Sequence, residues 1–380
     1  MKKQDRPRHE IASFARYLNK VFDFRTLAGT LTDSRVDPEI SPTAVFLATF
    51  HGFVFRLPSF QQMETELAQP ALQRWVGADR AFRDDVLRYS LSGFSLSGLE
   101  AMLVDVNRTL KRNKAFDTGR VQGRIVAALD GILDGIEVLS SYSRCCDSCL
   151  QRRVVVRKNG IKTEQLQYYH RAVGCQITSS PVKAFLAFEW LQPNEGEETA
   201  ALRLLRRLPE LYGSPFFDIL LLDALYAQTA VLDLAQQIGW DVVISLKQNQ
   251  PDLYKSAVRL FSHRSADVSF AEQRGSKTYQ VLLWDTEGLP LSGDDPRLVR
   301  VIRSEETLTE NHYRKGQLQA EQTSHEWLWI TTLDPKTFTA PVVRRLGHDR
   351  WILENKHGFL HSCLTSPSSH YRKRRPSARR

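Results

Sequence analysis

The first part of the chain carries apolar residues at helical spacing. They recur every three or four positions in residues 43–50 and again in residues 98–104, which is the period of an amphipathic helix. Ser92, Ser95 and Ser97 flank the second stretch, and serine is a common N-cap residue. The pattern predicts a helical N-terminal domain over residues 1–118, whose basic runs indicate either solvated helix faces or contacts with DNA ends.

The pattern changes near residue 120 to short apolar runs rich in β-branched residues. Strands are predicted at residues 124–129, 136–142, 152–157 and 165–178. A helix, a strand, a second helix ending at Gly239 and a further strand follow at residues 198–246. Adjacent strands favour an antiparallel meander, and alternating strands and helices favour parallel crossovers. This mixed order is that of an α/β, ribonuclease-H-like core, predicted over residues 119–265.

The remaining pattern predicts three more regions. Residues 266–338 read as a β-rich insertion, because strand-like runs alternate with turns at glycine and proline. A helix is predicted over residues 339–362. Residues 363–380 combine Pro367 with a run of arginines and show no apolar period, so we expect a basic, disordered tail of the kind that a truncation or frame shift leaves.

The charge balance points to a polyanionic partner. Lys and Arg outnumber Asp and Glu by 52 to 43, and nucleic acid is the most common partner of a basic surface. No window approaches the ~20 apolar residues of a membrane span, and no signal-peptide core follows Met1. We therefore expect no membrane partner and a cytoplasmic, nucleoid-associated protein. The chain lacks GxxxxGK and HExxH motifs, which argues against an ATPase or a zinc protease.

Carboxylates follow several of the predicted core elements. Asp223 comes directly after a buried strand, where open α/β sheets place ligands, although it also fits a helix N-cap. Asp130 and Asp134 each end an apolar run and precede glycine, so either could hold a metal or form a turn. Glu354 lies one turn after Arg350 on the last predicted helix, as a ligand or in a surface ion pair. Clustered carboxylates can hold two divalent ions for phosphoryl transfer.

Together these segments resemble insertion-sequence transposases of the DDE class, in the branch with a β-rich insertion before the glutamate. Residues 134–150, 222–226 and 350–355 are similar to the three sequence blocks of that family. The Arg-x-x-x-Glu spacing of the last block is the most specific signal. The resemblance covers about residues 120–362, and it implies metal-dependent DNA cleavage and strand transfer at the ends of the element.

The resemblance also implies a set of metal ligands. Asp134, Asp223 and Glu354 would hold two Mg²⁺ or Mn²⁺ ions, with Asp130 as the alternative first ligand. The alignment of the first block favours Asp134, whereas the strand pattern favours Asp130.

Double-stranded DNA is the implied partner, both as terminal inverted repeats and as target, and the implied assembly is a homodimer on DNA. Arg350 and Lys356 are assigned to DNA binding, and Lys247, at the end of a predicted strand, either contacts a phosphate or is simply solvated. Two positions depart from the family pattern. Gly347 replaces a usual tyrosine, and His361 replaces a usual lysine.

Five cysteines, an odd number, argue against a disulfide framework. Cys146 and Cys149 form a Cys-x-x-Cys half-site, and zinc needs four such ligands. Cys146, Cys149, His170 and Cys175 could complete a site if their strands are neighbours, and Cys145 could replace Cys146. Ordinary buried thiols are the alternative. Two other functions thus stay open: an inactive transposase remnant that only binds DNA, and a structural zinc protein.

Overall fold

The computed structural model describes residues 6–131, 138–158, 160–213, 215–275, 277–292, 295, 297–314 and 317–352. These residues fall into two compact units, one ending at Asn113 and the other beginning at Lys114. Within the described ranges, no helix combines the length and the apolar character that crossing a membrane requires.

The described residues of the first unit are helical, with α1 (Arg6–Phe22), α2 (Phe24–Gly29), α3 (Pro42–Val54), α4 (Phe60–Leu67), α5 (Pro70–Val76), α6 (Asp84–Ser92) and α7 (Leu96–Arg112). Ser41, Ser59 and Ser95 cap α3, α4 and α7. Each hydroxyl accepts a hydrogen bond from the backbone N–H three residues later, at 3.1–3.2 Å. The core of this unit forms around α3, where Val45 is fully buried. A DNA-end-binding role for these helices stays a prediction.

The second unit contains both strands and helices. Its elements are β1 (Val126–Gly131), β2 (Val138–Ser141), β3 (Leu150–Lys158), β4 (Ile161–His170), β5 (Ala172–Ile177), β6 (Phe185–Trp190), α8 (Glu197–Tyr212), β7 (Ile219–Leu222), α9 (Thr229–Ile238), β8 (Asp241–Ser245), α10 (Pro251–Ser262), β9 (Val268–Arg274), β10 (Lys277–Pro290), β11 (Leu298–Arg314), β12 (Gln317–Thr331) and α11 (Ala340–Asp349).

Five strands in the order β6-β5-β1-β7-β8 form the core of the larger sheet. β1, β5 and β6 are antiparallel neighbours, whereas β1, β7 and β8 run parallel. The helices α8 and α9 precede β7 and β8 and provide the crossovers that parallel pairing requires. All four residues of β7 are buried, as expected for a strand covered on both faces. This is a ribonuclease-H-like arrangement, and the predicted fold class is confirmed.

The strands that follow extend the same sheet. β12 pairs antiparallel with β8, and β11, β10 and β9 continue outward from it. Helix α11 then packs with buried Val343 and Leu346 on a core that includes Trp329. A Cβ atom added to Gly347 would lie 2.2 Å from Nε1 of Trp329. The glycine that departs from the family pattern is therefore required by this close helix–sheet contact.

A separate three-stranded sheet has the order β2-β4-β3. The sequence predicted one extended segment over residues 165–178, but the structure divides it at Arg171 into β4 and β5, which belong to different sheets. Apolar patterning predicted β1, β2 and β3, but it merged β4 with β5 and missed β6. It also could not show which strands enter the core, because partner choice depends on contacts between distant residues.

Candidate active site

Two aspartates lie at the carboxyl ends of adjacent parallel strands. Asp130 is near the end of β1, and Asp223 directly follows β7. The register pairs Ala128 with Leu221, and each aspartate is two residues further along its strand, so both side chains are expected on the same face. Their side chains are 13% and 28% exposed. The two carboxylates thus lie along an edge of the sheet that solvent reaches.

Arg350 brings the end of α11 to this edge. Its guanidinium forms an ion pair with Asp130 and lies 3.8 Å from a carboxylate oxygen of Asp223. Arg350 itself is only 5% exposed, and the ring of Trp351 covers it at 5.4 Å. Arg350 therefore lies between two carboxylates that are carried by separate strands.

Glu197, in the first turn of α8, lies at the same edge of the sheet. Its carboxylate accepts hydrogen bonds from the Tyr226 hydroxyl at 2.6 Å and from Arg171 at 3.0 Å. A Cβ atom on Gly131 would lie 2.9 Å from both of its oxygens, so the glycine lets the carboxylate approach the end of β1. Burial raises the pKa of Tyr226, and the negative charges of Glu197, Asp130 and Asp223 raise it further. The Tyr226 hydroxyl therefore stays protonated at neutral pH and donates its hydrogen bond to Glu197.

Lys247 follows β8 and lies beside Asp223, with 3.4 Å between its ammonium and the carboxylate. The lysine side chain is 62% exposed. Asn249 donates a hydrogen bond to the carbonyl of Ala224, which ties the loop after β8 to the turn after β7. An open cleft of about 660 Å³ begins here, and Asp223, Lys247, Tyr254 and Trp327 are among the residues that line it.

Residues 154–380 match a family model described as "Transposase DDE domain". The match covers more than half of the chain. The chain belongs to this family. Its matched region begins after Asp130, and it includes Asp223 and Arg350.

One solved structure similar to this transposase-family chain is a piggyBac transposase synaptic complex with hairpin DNA. The two share 8% sequence identity with a TM-score of 0.37, and the alignment covers 92% of this chain. The chain spans 66% of the length of that protein. No curated protein matches the sequence.

For this transposase-family chain, the predicted site residues fall into two groups. Those that the structure brings together at one edge are Asp130, Asp223, Lys247 and Arg350. Those that lie outside the described residues are Asp134, Glu354 and Lys356. The sequence did not single out Glu197, because an acidic residue in the first turn of a helix ordinarily complements the helix dipole.

The predicted zinc ligands need one correction. Cys146, Cys149 and His170 do lie together, but the fourth member of the group is Cys145 and not Cys175. Cys175 is in the middle of β5, which pairs with β1 and β6 in the core sheet. It is fully buried there, and burial raises the pKa of its thiol. Cys175 was included because residues 165–178 were predicted as one extended segment, which the structure divides into β4 and β5.

Proposed function

We propose that this chain is a DNA transposase that cleaves and joins strands at the ends of its own insertion element by metal-dependent phosphoryl transfer. The observation that carries the proposal is the pair Asp130 and Asp223 at adjoining strand ends, with Asp223 lining an open cleft, in a chain of the DDE family. Carboxylate oxygens are the ligands that Mg²⁺ prefers, and both side chains are partly exposed. The donor set therefore fits Mg²⁺ or Mn²⁺.

We assign the first ligand to Asp130, although the family resemblance favoured Asp134. Asp130 shares a strand face with Asp223, and both contact Arg350. Glu354 is the third ligand in this proposal. It follows Arg350 by four residues, so on a continuing helix it would lie one turn further along the same face.

Two divalent ions bound there would activate a water or a 3′-hydroxyl and neutralise charge that develops on the phosphorus. Asp130 and Asp223 provide oxygen ligands and negative charge. Arg350 orients both carboxylates and reduces their mutual repulsion, a role that suits its burial better than the phosphate contact that the resemblance implied. Lys247, which is well exposed beside the cleft, is suited to contact a backbone phosphate.

The partners follow from the same proposal. The DNA substrates are the terminal inverted repeats of the element and a target duplex, and the excess of basic residues supports binding to them. Joining two ends in one event requires two active sites close together, so we infer a homodimer on DNA. The protein would then act at the nucleoid.

The test is a Mn²⁺-supported nicking and strand-transfer assay on DNA that carries the inverted repeats flanking the gene. Asp130→Asn and Asp223→Asn should each reduce both reactions to background, because each removes one charged ligand. Both variants should still shift the DNA in a gel. Asp134→Asn is the matched control, and it should retain activity.

Each alternative result has a distinct meaning. Loss of activity in Asp134→Asn, with activity kept in Asp130→Asn, would show that the first ligand is assigned wrongly and leave metal-dependent transposition intact. DNA binding by the wild-type chain without any nicking would overturn the proposal and favour an inactive remnant that only binds DNA.

A further inference from the structure

Three cysteines and a histidine meet at one end of the three-stranded sheet. Cys145, Cys146 and Cys149 precede β3 in the segment that follows β2, and His170 is the last residue of β4. Because β4 pairs with both β2 and β3, the sheet itself holds the histidine against the cysteine segment. Their four ligand atoms all lie within 4.8 Å of one another.

The distances in this group are those of a tetrahedral metal site. The three cysteine sulfurs lie 3.3, 3.5 and 3.6 Å from Nε2 of His170. Cys149 lies 3.3 Å from Cys145 and 3.9 Å from Cys146, measured between sulfurs. Tetrahedral zinc with ordinary bond lengths places sulfurs about 3.8 Å apart and sulfur and nitrogen about 3.6 Å apart. A disulfide would need about 2.05 Å, so the sulfurs are spaced for a shared ion.

Local interactions hold the cysteines in this arrangement. Arg144 donates hydrogen bonds to the carbonyls of Cys146 and Asp147, at 3.0 and 3.1 Å, and the N–H of Cys149 bonds to the Cys146 carbonyl. The ring of His170 contacts Trp190 edge to face at 5.7 Å.

We propose that Cys145, Cys146, Cys149 and His170 bind one structural zinc ion. Three thiolates and one imidazole complete a four-coordinate shell, which is typical of structural zinc sites rather than catalytic ones. Soft thiolates select zinc, whereas the carboxylates at the other site select Mg²⁺ or Mn²⁺. The ion would join the segment before β3 to the end of β4 and so stabilise the three-stranded sheet.

The test is the zinc content of the full chain, purified without chelators and measured by plasma mass spectrometry. We expect about one zinc per chain. Cys149→Ser and His170→Ala should lose most of it, whereas His170→Cys should retain it because thiolate is also a zinc ligand. Cys175→Ala and His263→Ala are the matched controls, because they replace a cysteine and a histidine outside the group. Both variants should retain the bound zinc.

Co²⁺ substitution of the wild-type chain gives a second measurement that does not depend on the folding of any variant. Tetrahedral thiolate coordination should produce intense visible bands that zinc removes stoichiometrically. Neither zinc nor Co²⁺ binding by the wild-type chain, or full zinc retention in both Cys149→Ser and His170→Ala, would overturn the proposal. A Cys145–Cys149 disulfide in the purified chain would do the same. None of these measurements involves DNA, so their results do not depend on whether the chain catalyses transposition.

Discussion

Two arginines at the C-terminal end of the described chain each pair with carboxylates, but in different surroundings. Arg344, inside α11, is 3% exposed and binds Glu306 through two hydrogen bonds of 2.8 and 2.7 Å. Arg350, at the end of the same helix, is similarly buried, yet its partners Asp130 and Asp223 remain partly exposed. The difference therefore lies in Glu306, whose side chain is 6% exposed, against 13% for Asp130 and 28% for Asp223.

The Glu306 carboxylate is enclosed by donors. Besides Arg344, it accepts hydrogen bonds from Ser304 at 3.0 Å and from His348 at 2.7 Å. Glu272 contacts the same arginine at 3.1 Å. Because its hydrogen-bond partners all come from within the protein, Glu306 serves to attach α11 to β11. The carboxylates of Asp130 and Asp223, in contrast, keep part of their surface exposed to solvent.

The largest effect on stability is expected from Arg344→Ala. Removing one partner of a buried ion pair leaves an uncompensated charge, which costs about 3–5 kcal/mol of unfolding free energy. Arg350→Ala should cost less, about 1–2 kcal/mol, because water can partly solvate the carboxylates of Asp130 and Asp223. Denaturant unfolding measures both, with the exposed neighbour Arg345→Ala as control. Equal losses in Arg344→Ala and Arg350→Ala would contradict the distinction between the two pairs.

Acidification is expected to reduce the free energy of unfolding by a somewhat smaller amount. Burial alone would raise the pKa of Glu306, but hydrogen bonds from His348 and Arg344 lower it from 4.5 to about 2. A carboxyl with a lowered folded-state pKa stabilises the protein above its unfolded pKa and loses that contribution as the pH falls toward 2. The shift corresponds to about 3 kcal/mol at most.

Thermal unfolding between pH 6 and pH 3 tests this linkage. Glu306→Gln should show a flatter decline in melting temperature than the wild-type chain over that range, because the glutamine does not titrate. The exposed Glu287→Gln should follow the wild-type curve. A Glu306→Gln curve parallel to the wild-type one would show that this network does not govern acid stability.

The fold was predictable from the sequence where burial alone determines the pattern. The continuous apolar runs of β7 and β8 could only be strands covered on both faces. Gly239 was predicted as the residue that ends α9, and it has the left-handed φ of 87° that favours glycine. The separate sheet of β2, β3 and β4 was not predictable, because an alternating pattern does not identify the partner strand.

The candidate site was predictable only in part, for a related reason. Asp223 follows a recognisable buried strand, so its position at the sheet edge could be read from the sequence. The sequence could not decide between Asp130 and Asp134, because each ends an apolar run and precedes glycine. Glu197 reaches the edge only because Gly131 has no side chain, a spatial relation that no local pattern contains.

The smallest expected effect is a change in DNA affinity. It tests whether DNA binds at the edge of the sheet that carries Asp130 and Asp223. Lys247 lies at the carboxyl ends of the parallel strands beside the cleft. Lys336 follows β12, which runs antiparallel to β8, and so lies toward the opposite edge. Replacing one phosphate-contacting lysine should reduce the slope of log binding constant against log salt concentration by about one.

Fluorescence anisotropy titrations of duplex DNA at several salt concentrations should therefore separate Lys247→Ala from Lys336→Ala. Only Lys247→Ala should bind a few-fold more weakly with a shallower salt dependence, and it should do so for any duplex sequence, because a phosphate contact carries no base information. The same loss of affinity in Lys336→Ala, with none in Lys247→Ala, would indicate that DNA binds at the other edge of the sheet. Asp130 and Asp223 would then lie away from the scissile phosphate, and their assignment as metal ligands for DNA cleavage would fail with it.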